Sequence, residues 1–74
     1  MSYSKLRGRI REIFGTQGAF AKEMGMNRST LSMKLSGKID WTRKEIEKAC
    51  YLLKISIDKV HLYFFTVKVG ISQQ

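Results

Sequence analysis

The chain has 74 residues, with 14 Lys and Arg against six Asp and Glu, a formal net charge of +8. A chain of that length fits one domain and buries only about 60% of its unfolded surface. No stretch approaches the roughly 18 apolar residues of a membrane span, and the start carries no apolar signal segment, so the expected location is cytoplasmic with no membrane partner. Cys50 is the sole cysteine. It can form no internal disulfide and no zinc framework, and neither a metal nor a cofactor is expected.

The charge is uneven. Residues 1–44 hold ten basic and three acidic side chains, whereas residues 45–74 hold four and three. A field of that sign attracts polyanions and speeds encounter with them. By itself it does not distinguish DNA from RNA or from an anionic membrane.

In chain order, Leu6, Ile10, Ile13 and Phe14 form an apolar stripe at helical spacing, which predicts a first helix from Lys5 to Phe14 capped by Ser4. Gly8 lies inside it at a cost of about 1 kcal/mol relative to Ala, and close packing is one reason to place a glycine there. Gly15 ends the helix and Thr16 caps the next. That second helix opens on Gln17 and carries Phe20, Ala21 and Met24 on one face, then stops at Gly25. Asn27 is the N-cap of a third helix, from about Arg28 to Ser36, which stops at Gly37. The loop Lys38-Ile39-Asp40-Trp41 follows, with Ile39 and Trp41 expected in the core; Trp41 stacked on a base is the alternative. Thr42 and Glu45 form a T-x-x-E capping box, with Trp41 and Ile46 at the staple positions around it. The fourth helix then runs to about Leu53, burying Ile46, Ala49, Cys50 and Leu53. Lys54 stands where a helix-ending glycine is usual, which predicts a strained turn. Ser56 caps a fifth helix from near Ile57 to Phe64, with Ile55 and Val60 at staple spacing. Residues 65–69 alternate as a strand does. They read either as a dimerisation strand or as the end of the core followed by a fraying tail.

Residues 16–37 organise the rest. With Leu31 set inward and about 100° per residue, Leu35 also faces the core. Ser29, Met33 and Ser36 point away, Ser32 lies on the flank and Arg28 stands at the N-terminal tip. Such a face is short, polar and nearly free of acids, which suits the major groove of DNA. A merely solvated helix in a small bundle gives the same pattern.

This stretch resembles the helix-turn-helix of the phage Cro and CI repressor family in the spacing of Gln17, Ala21, Gly25 and Leu31. STLSMKLSGK followed by WTRKEIEKA is similar to small Gram-positive phage Cro-like regulators. The resemblance spans roughly residues 4–65. It implies an all-α, five-helix, lambda-repressor-like DNA-binding domain at residues 1–65 and a tail at 66–74, which is either a short C-terminal strand or disordered. Two positions depart from the family: Lys34 where an apolar residue is usual, with Leu35 available to fill the space, and Gly18 in the first turn of the second helix.

Together these readings predict a sequence-specific, double-stranded DNA-binding repressor that binds a near-palindromic operator as a homodimer. Arg28, Ser29, Ser32 and Met33 are the candidates for base edges. Arg28 is suited to guanine O6 and N7, and Met33 to a thymine methyl. Thr16, Gln17, Asn27, Lys38, Arg43 and Lys44 are the candidates for phosphates. Gln17 reads otherwise as an ordinary exposed side chain, and Arg43 and Lys44 equally as solvated charges. A different class of function is a protein-interaction module, or an antitoxin-type regulator, whose residues 56–74 bind a partner. An enzyme is not expected: the chain has no Gly-rich phosphate loop and no Cys/His cluster, and Glu45 and Glu47 stand two apart on a helix.

Overall fold

The computed structural model describes residues 3–64. They form α1 (Ser4–Phe14), α2 (Gln17–Met24), α3 (Arg28–Leu35), α4 (Arg43–Leu53) and α5 (Val60–Phe64), with a single 3-10 turn at Ile57–Lys59 leading into α5. The architecture is all-α, and no strand occurs among the described residues. The alternating pattern at 65–69 and the tail at 66–74 lie outside them.

The helices α2, α3 and α4 start where their capping chemistry directs. The Thr16 hydroxyl accepts the Ala19 N–H at 3.1 Å, and Asn27 Oδ1 accepts that of Thr30 at 2.8 Å. At α4 the box is reciprocal: Thr42 Oγ1 accepts the Glu45 N–H at 3.1 Å, while Glu45 Oε1 accepts the Thr42 N–H at 2.9 Å. Four orphan donors are thus satisfied by side chains at three helix starts. The α2–α3 turn depends on Gly25, whose φ of 77° lies in the left-handed region that a Cβ disfavours. Lys54 takes the same conformation with a side chain, at φ 57°, as its position after α4 implied.

The start of α1 differs from expectation. Ser4 is its first helical residue, Tyr3 is the residue before it, and no side chain caps the helix. Tyr3 packs its ring 6.5 Å from both Trp41 and Phe64, and its carbonyl accepts the Arg7 N–H at 2.8 Å. Ring packing therefore fixes the helix entrance one residue earlier than a serine cap would. The fifth helix also begins late, because residues 57–59 are wound as a 3-10 turn with no side-chain cap from Ser56.

The core gathers one stripe from each helix: Leu6 and Ile10; Phe20, Ala21 and Met24; Leu31 and Leu35; Ala49, Cys50 and Leu53; and Phe64, with Ile55 from the α4–α5 link. Trp41 lies on this core with its ring 5.2 Å from Phe64, in an edge-on arrangement that suits aromatic pairs. Two expected core members stay outside. Ile13 and Ile39 are each 36% exposed. Ile13 sits in the last turn of α1, where Phe14 instead packs against Phe20 at 5.3 Å. Ile39 is held by its backbone, its N–H donating to the Met33 carbonyl at 3.3 Å. Gly8 is not a close-packing device: a Cβ built there meets nothing within 4 Å.

Three cations act as structural fasteners. Arg7 Nη2 donates to the Leu35 carbonyl at 3.1 Å, tying α1 to the end of α3. Arg9 Nε donates to the Leu53 carbonyl at 2.9 Å, capping the end of α4, and its Nη1 pairs with Glu12 at 3.1 Å. Lys34 is 4% exposed. Its ammonium meets Glu45 Oε1 at 2.8 Å and the Asp40 carbonyl at 2.9 Å, and stands 5.9 Å from the Trp41 ring centre. Leu35 does not take its place; both residues are buried side by side in the helix. The lysine stem fills apolar space, and its head is satisfied by a carboxylate, a carbonyl and an aromatic face.

Candidate nucleic-acid interface

The buried residues of α3 are Leu31, Lys34 and Leu35. Helical geometry then forces Arg28, Ser29, Ser32 and Met33 to the opposite side, and all four are exposed. Together with Gln17 they line one depression of about 470 Å³. The four candidates for base contact therefore share one surface, and Gln17 joins them from the first turn of α2. Ser36 is also exposed, but its hydroxyl donates to the Met33 carbonyl at 3.0 Å.

Beside this depression lies a second cleft of about 300 Å³, lined by Arg7, Ile10, Arg11, Gly15, Thr16, Gln17 and Arg28. Gln17 and Arg28 belong to both. Thr16 and Asn27 spend their side-chain oxygens as acceptors in the caps of α2 and α3. The Thr16 hydroxyl proton and the Asn27 amide hydrogens remain as donors. Lys38 is exposed just past α3, where its backbone N–H donates to the Met33 carbonyl at 2.9 Å. Its side chain is thus carried at the C-terminal end of the same helix.

The two α4 cations are placed differently. Lys44 is exposed. Arg43 Nε pairs with Glu47 Oε2 at 3.2 Å, with its side chain 91% exposed. It lines a separate groove with Ile46, Glu47, Cys50, Ile57 and Val60, about 460 Å³ in volume and largely apolar. Burial pushes the Cys50 thiol above its ordinary pKa, which disfavours the thiolate. Arg7 and Arg11, which line the cleft beside Thr16 and Gln17, were not among the candidates drawn from the sequence. Their i, i+4 spacing on one side of α1 was the available signal.

Behind the surface, Glu45 and Lys34 link α3 to the start of α4. Burial raises the Glu45 pKa, but the Lys34 ammonium and the Thr42 N–H outweigh it and hold the carboxyl below its ordinary value. The orientation of the exposed α3 face is therefore tied to a charged pair on the opposite side of that helix.

The fold is that of a small helical phage regulator. The chain belongs to the family described as "Protein of unknown function (DUF739)", whose model matches residues 1–67. It is similar to the modulator of repression (MOR) of the temperate bacteriophage TP901-1 from Lactococcus lactis, known from a solution structure. The two share 42% sequence identity over 86% of each chain, with a TM-score of 0.78. No curated protein matches it. No helix among the described residues is long and apolar enough to cross a membrane, and no group of three or more His, Cys, Asp and Glu there is arranged to hold a metal ion.

Proposed function

We propose that the chain is a phage or prophage regulator that binds double-stranded DNA in a sequence-specific way, with α2 and α3 acting as a helix-turn-helix of the Cro and CI type. The observation that carries this reading is the exposed, acid-free face of α3, with Arg28, Ser29, Ser32 and Met33 on one surface shared with Gln17. A helix of that width and polarity enters the major groove, where Arg reads guanine and Met meets a thymine methyl. Thr16, Gln17, Asn27 and Lys38 surround the face and supply phosphate contacts that fix register; Arg43 and Lys44 add to them where the DNA path reaches α4. Residues 1–65 act as the binding domain. A homodimer on a near-palindrome, with half-sites about 34 Å apart, lets two such faces read one side of the duplex. Repression follows from exclusion of polymerase.

Two variants test it on the best-bound duplex. Arg28→Ala costs about 1–3 kcal/mol on that site and relaxes base preference beside it. Equal weakening on every sequence makes Arg28 a phosphate ligand and removes it from base readout. Lys38→Ala weakens cognate and random DNA alike and lowers the salt slope by about one unit; an unchanged slope strikes Lys38 from the contacts.

A second reading is supported by the apolar groove between α4 and residues 57–60, where Ile57 is 81% exposed. The similar phage protein carries the name modulator of repression. On this reading the chain regulates through a protein partner docked at residues 56–74. Binding to a purified phage repressor that survives Arg28→Ala and is lost with Ile57→Asp favours it over DNA readout.

A further inference from the structure

We infer that the cleft between α1 and the α4–α5 link is a docking site for an acidic segment of a protein partner, with a carboxylate of that segment seated between Lys54 and Lys59. The cleft shares no lining residue with the α3 depression or with the apolar groove at Ile57. The inference therefore stands whether or not α3 reads DNA.

The cleft holds about 310 Å³ and is lined by Arg9, Lys54, Ile55, Ser56, Lys59 and Tyr63. Its place follows from the pattern of α1. At about 100° per residue, Arg7 and Arg11 fall on one side of the buried Leu6–Ile10 stripe, and Lys5 and Arg9 fall on the other. The first pair meets the start of α2, whereas Arg9 meets the end of α4. Lys5 stands on the same flank, its Nζ 5.6 Å from the centre of the Tyr63 ring. Lysines and an arginine from α1, the end of α4 and the 3-10 turn thus surround one phenol, and no acidic residue lines the cleft.

Arg9 is committed to the fold. Its Nε and Nη2 donate to the Leu53 and Lys54 carbonyls at 2.9 and 3.4 Å, and its Nη1 pairs with Glu12. The exposed ammonium groups of Lys54 and Lys59 are left to meet a ligand. Lys54 holds a left-handed conformation, φ 57°, at a position where glycine costs less. A strained residue whose side chain lines a cleft points to use of that side chain.

The chemistry favours a peptide over a duplex. An arginine fork matches a phosphate through two bonds, whereas lysine is a compact point charge, and the guanidinium of this cleft is already occupied. Glu12 is exposed beside Arg9. Asp58 adjoins Lys59, and its carboxyl is held below its ordinary pKa by the Ser56 side chain first and by its own backbone next. Flanking carboxylates of this kind repel an unbroken row of phosphates. A peptide spaces its carboxylates, so one enters between the lysines while the rest avoid Glu12 and Asp58. The half-buried Tyr63 ring and the buried Ile55 offer its side-chain stem an apolar wall.

The test uses the full chain, ¹⁵N-labelled, titrated separately with a glutamate-rich peptide, with the same peptide carrying glutamine for glutamate, with a random-sequence duplex and with inorganic phosphate. The acidic peptide is expected to shift the Lys54, Ser56 and Lys59 amides and saturate them, and the glutamine peptide to leave them unmoved. Lys54→Gly and Lys59→Gln each weaken the acidic peptide about two- to fivefold, and together about tenfold. Lys54→Gly keeps the fold, since glycine suits the backbone there and the Arg9 bonds go to carbonyls. Ile57→Ser, in the apolar groove, leaves peptide affinity unchanged. Peptide affinity untouched by the double variant, or lost equally in Ile57→Ser, overturns the site. Peptide shifts centred on Gln17 and Arg28 instead reduce the binding to general attraction by the net charge and also overturn it. A duplex that shifts the same amides at lower concentration than the peptide overturns the peptide assignment in favour of a second nucleic-acid contact. Saturation by inorganic phosphate at peptide concentrations overturns it in favour of a small-anion site.

Discussion

Replacing Glu45 by Ala strands the buried Lys34 ammonium. Breaking a fully buried ion pair costs about 3–5 kcal/mol. Here the Lys34 side chain is 5% exposed but that of Glu45 is 27% exposed, so water already screens part of the attraction. The Asp40 carbonyl and the Trp41 ring also remain with the ammonium. These discounts bring the expected loss to about 2 kcal/mol. A few tenths more follow from losing the Thr42 N–H acceptor, because the same Oε1 serves the capping box. For a domain of this size that is a fall in Tm of roughly 10–15 °C. Urea unfolding followed by Trp41 fluorescence measures it. Lys34→Met should cost much less, under about 1 kcal/mol, since it removes the buried charge and leaves a carboxylate with access to water. Glu45→Ala costing under about 0.5 kcal/mol, or Lys34→Met costing more than Glu45→Ala, would refute the reasoning. The pair also sets an acid limit. The Glu45 carboxyl is held below its ordinary 4.5 in the folded chain. Its contribution is therefore complete above that ordinary value and is lost as pH falls through the lowered one. Glu45→Gln removes that part of the acid dependence.

Two backbone predictions are independent of function. Gly8→Ala should stabilise by about 0.5–1 kcal/mol, because the new Cβ meets nothing within 4 Å and the helix loses a flexible residue; a loss of stability in the same urea assay would mean that α1 packs more closely at Gly8 than its open surroundings indicate. Lys54→Gly should also stabilise, by up to about 1 kcal/mol, by relieving a left-handed conformation at φ 57°. The Arg9 contacts survive it, since they go to the carbonyls of Leu53 and Lys54; destabilisation would show that the lysine side chain contributes more than its backbone costs.

The local chemistry was legible in the sequence. Thr16, Asn27 and the T-x-x-E box at Thr42 act within three residues, so their caps follow from spacing alone. Leu31 and Leu35 fixed the buried side of α3, and helical periodicity then exposed Ser29, Ser32 and Met33. What escaped depends on partners distant in sequence. Lys34 reads as a surface cation until Glu45 and the Asp40 carbonyl converge on it. Arg9 reaches 44 residues along the chain to cap α4. Tyr3 displaces the expected serine cap because Trp41 and Phe64 lie beside it. Ile13 and Ile39 looked like core residues because hydrophobicity alone does not tell which turn of a helix or loop meets the interior. The phosphate candidates on α2 and α3 were visible for the same local reason as the caps. Arg7 and Arg11 were not, because their place in the cleft beside Thr16 and Gln17 depends on how α1 meets the start of α2.

Selection of bound sequences from a random pool of double-stranded DNA, with the enriched sites remeasured across a salt series, tests the account most directly. It predicts recovery of a near-palindrome bound at least about a thousandfold more tightly than random duplex, with the preference retained as salt rises. Enrichment of no sequence, with binding that vanishes as salt is added, would contradict it and leave the +8 charge as a non-specific attraction only.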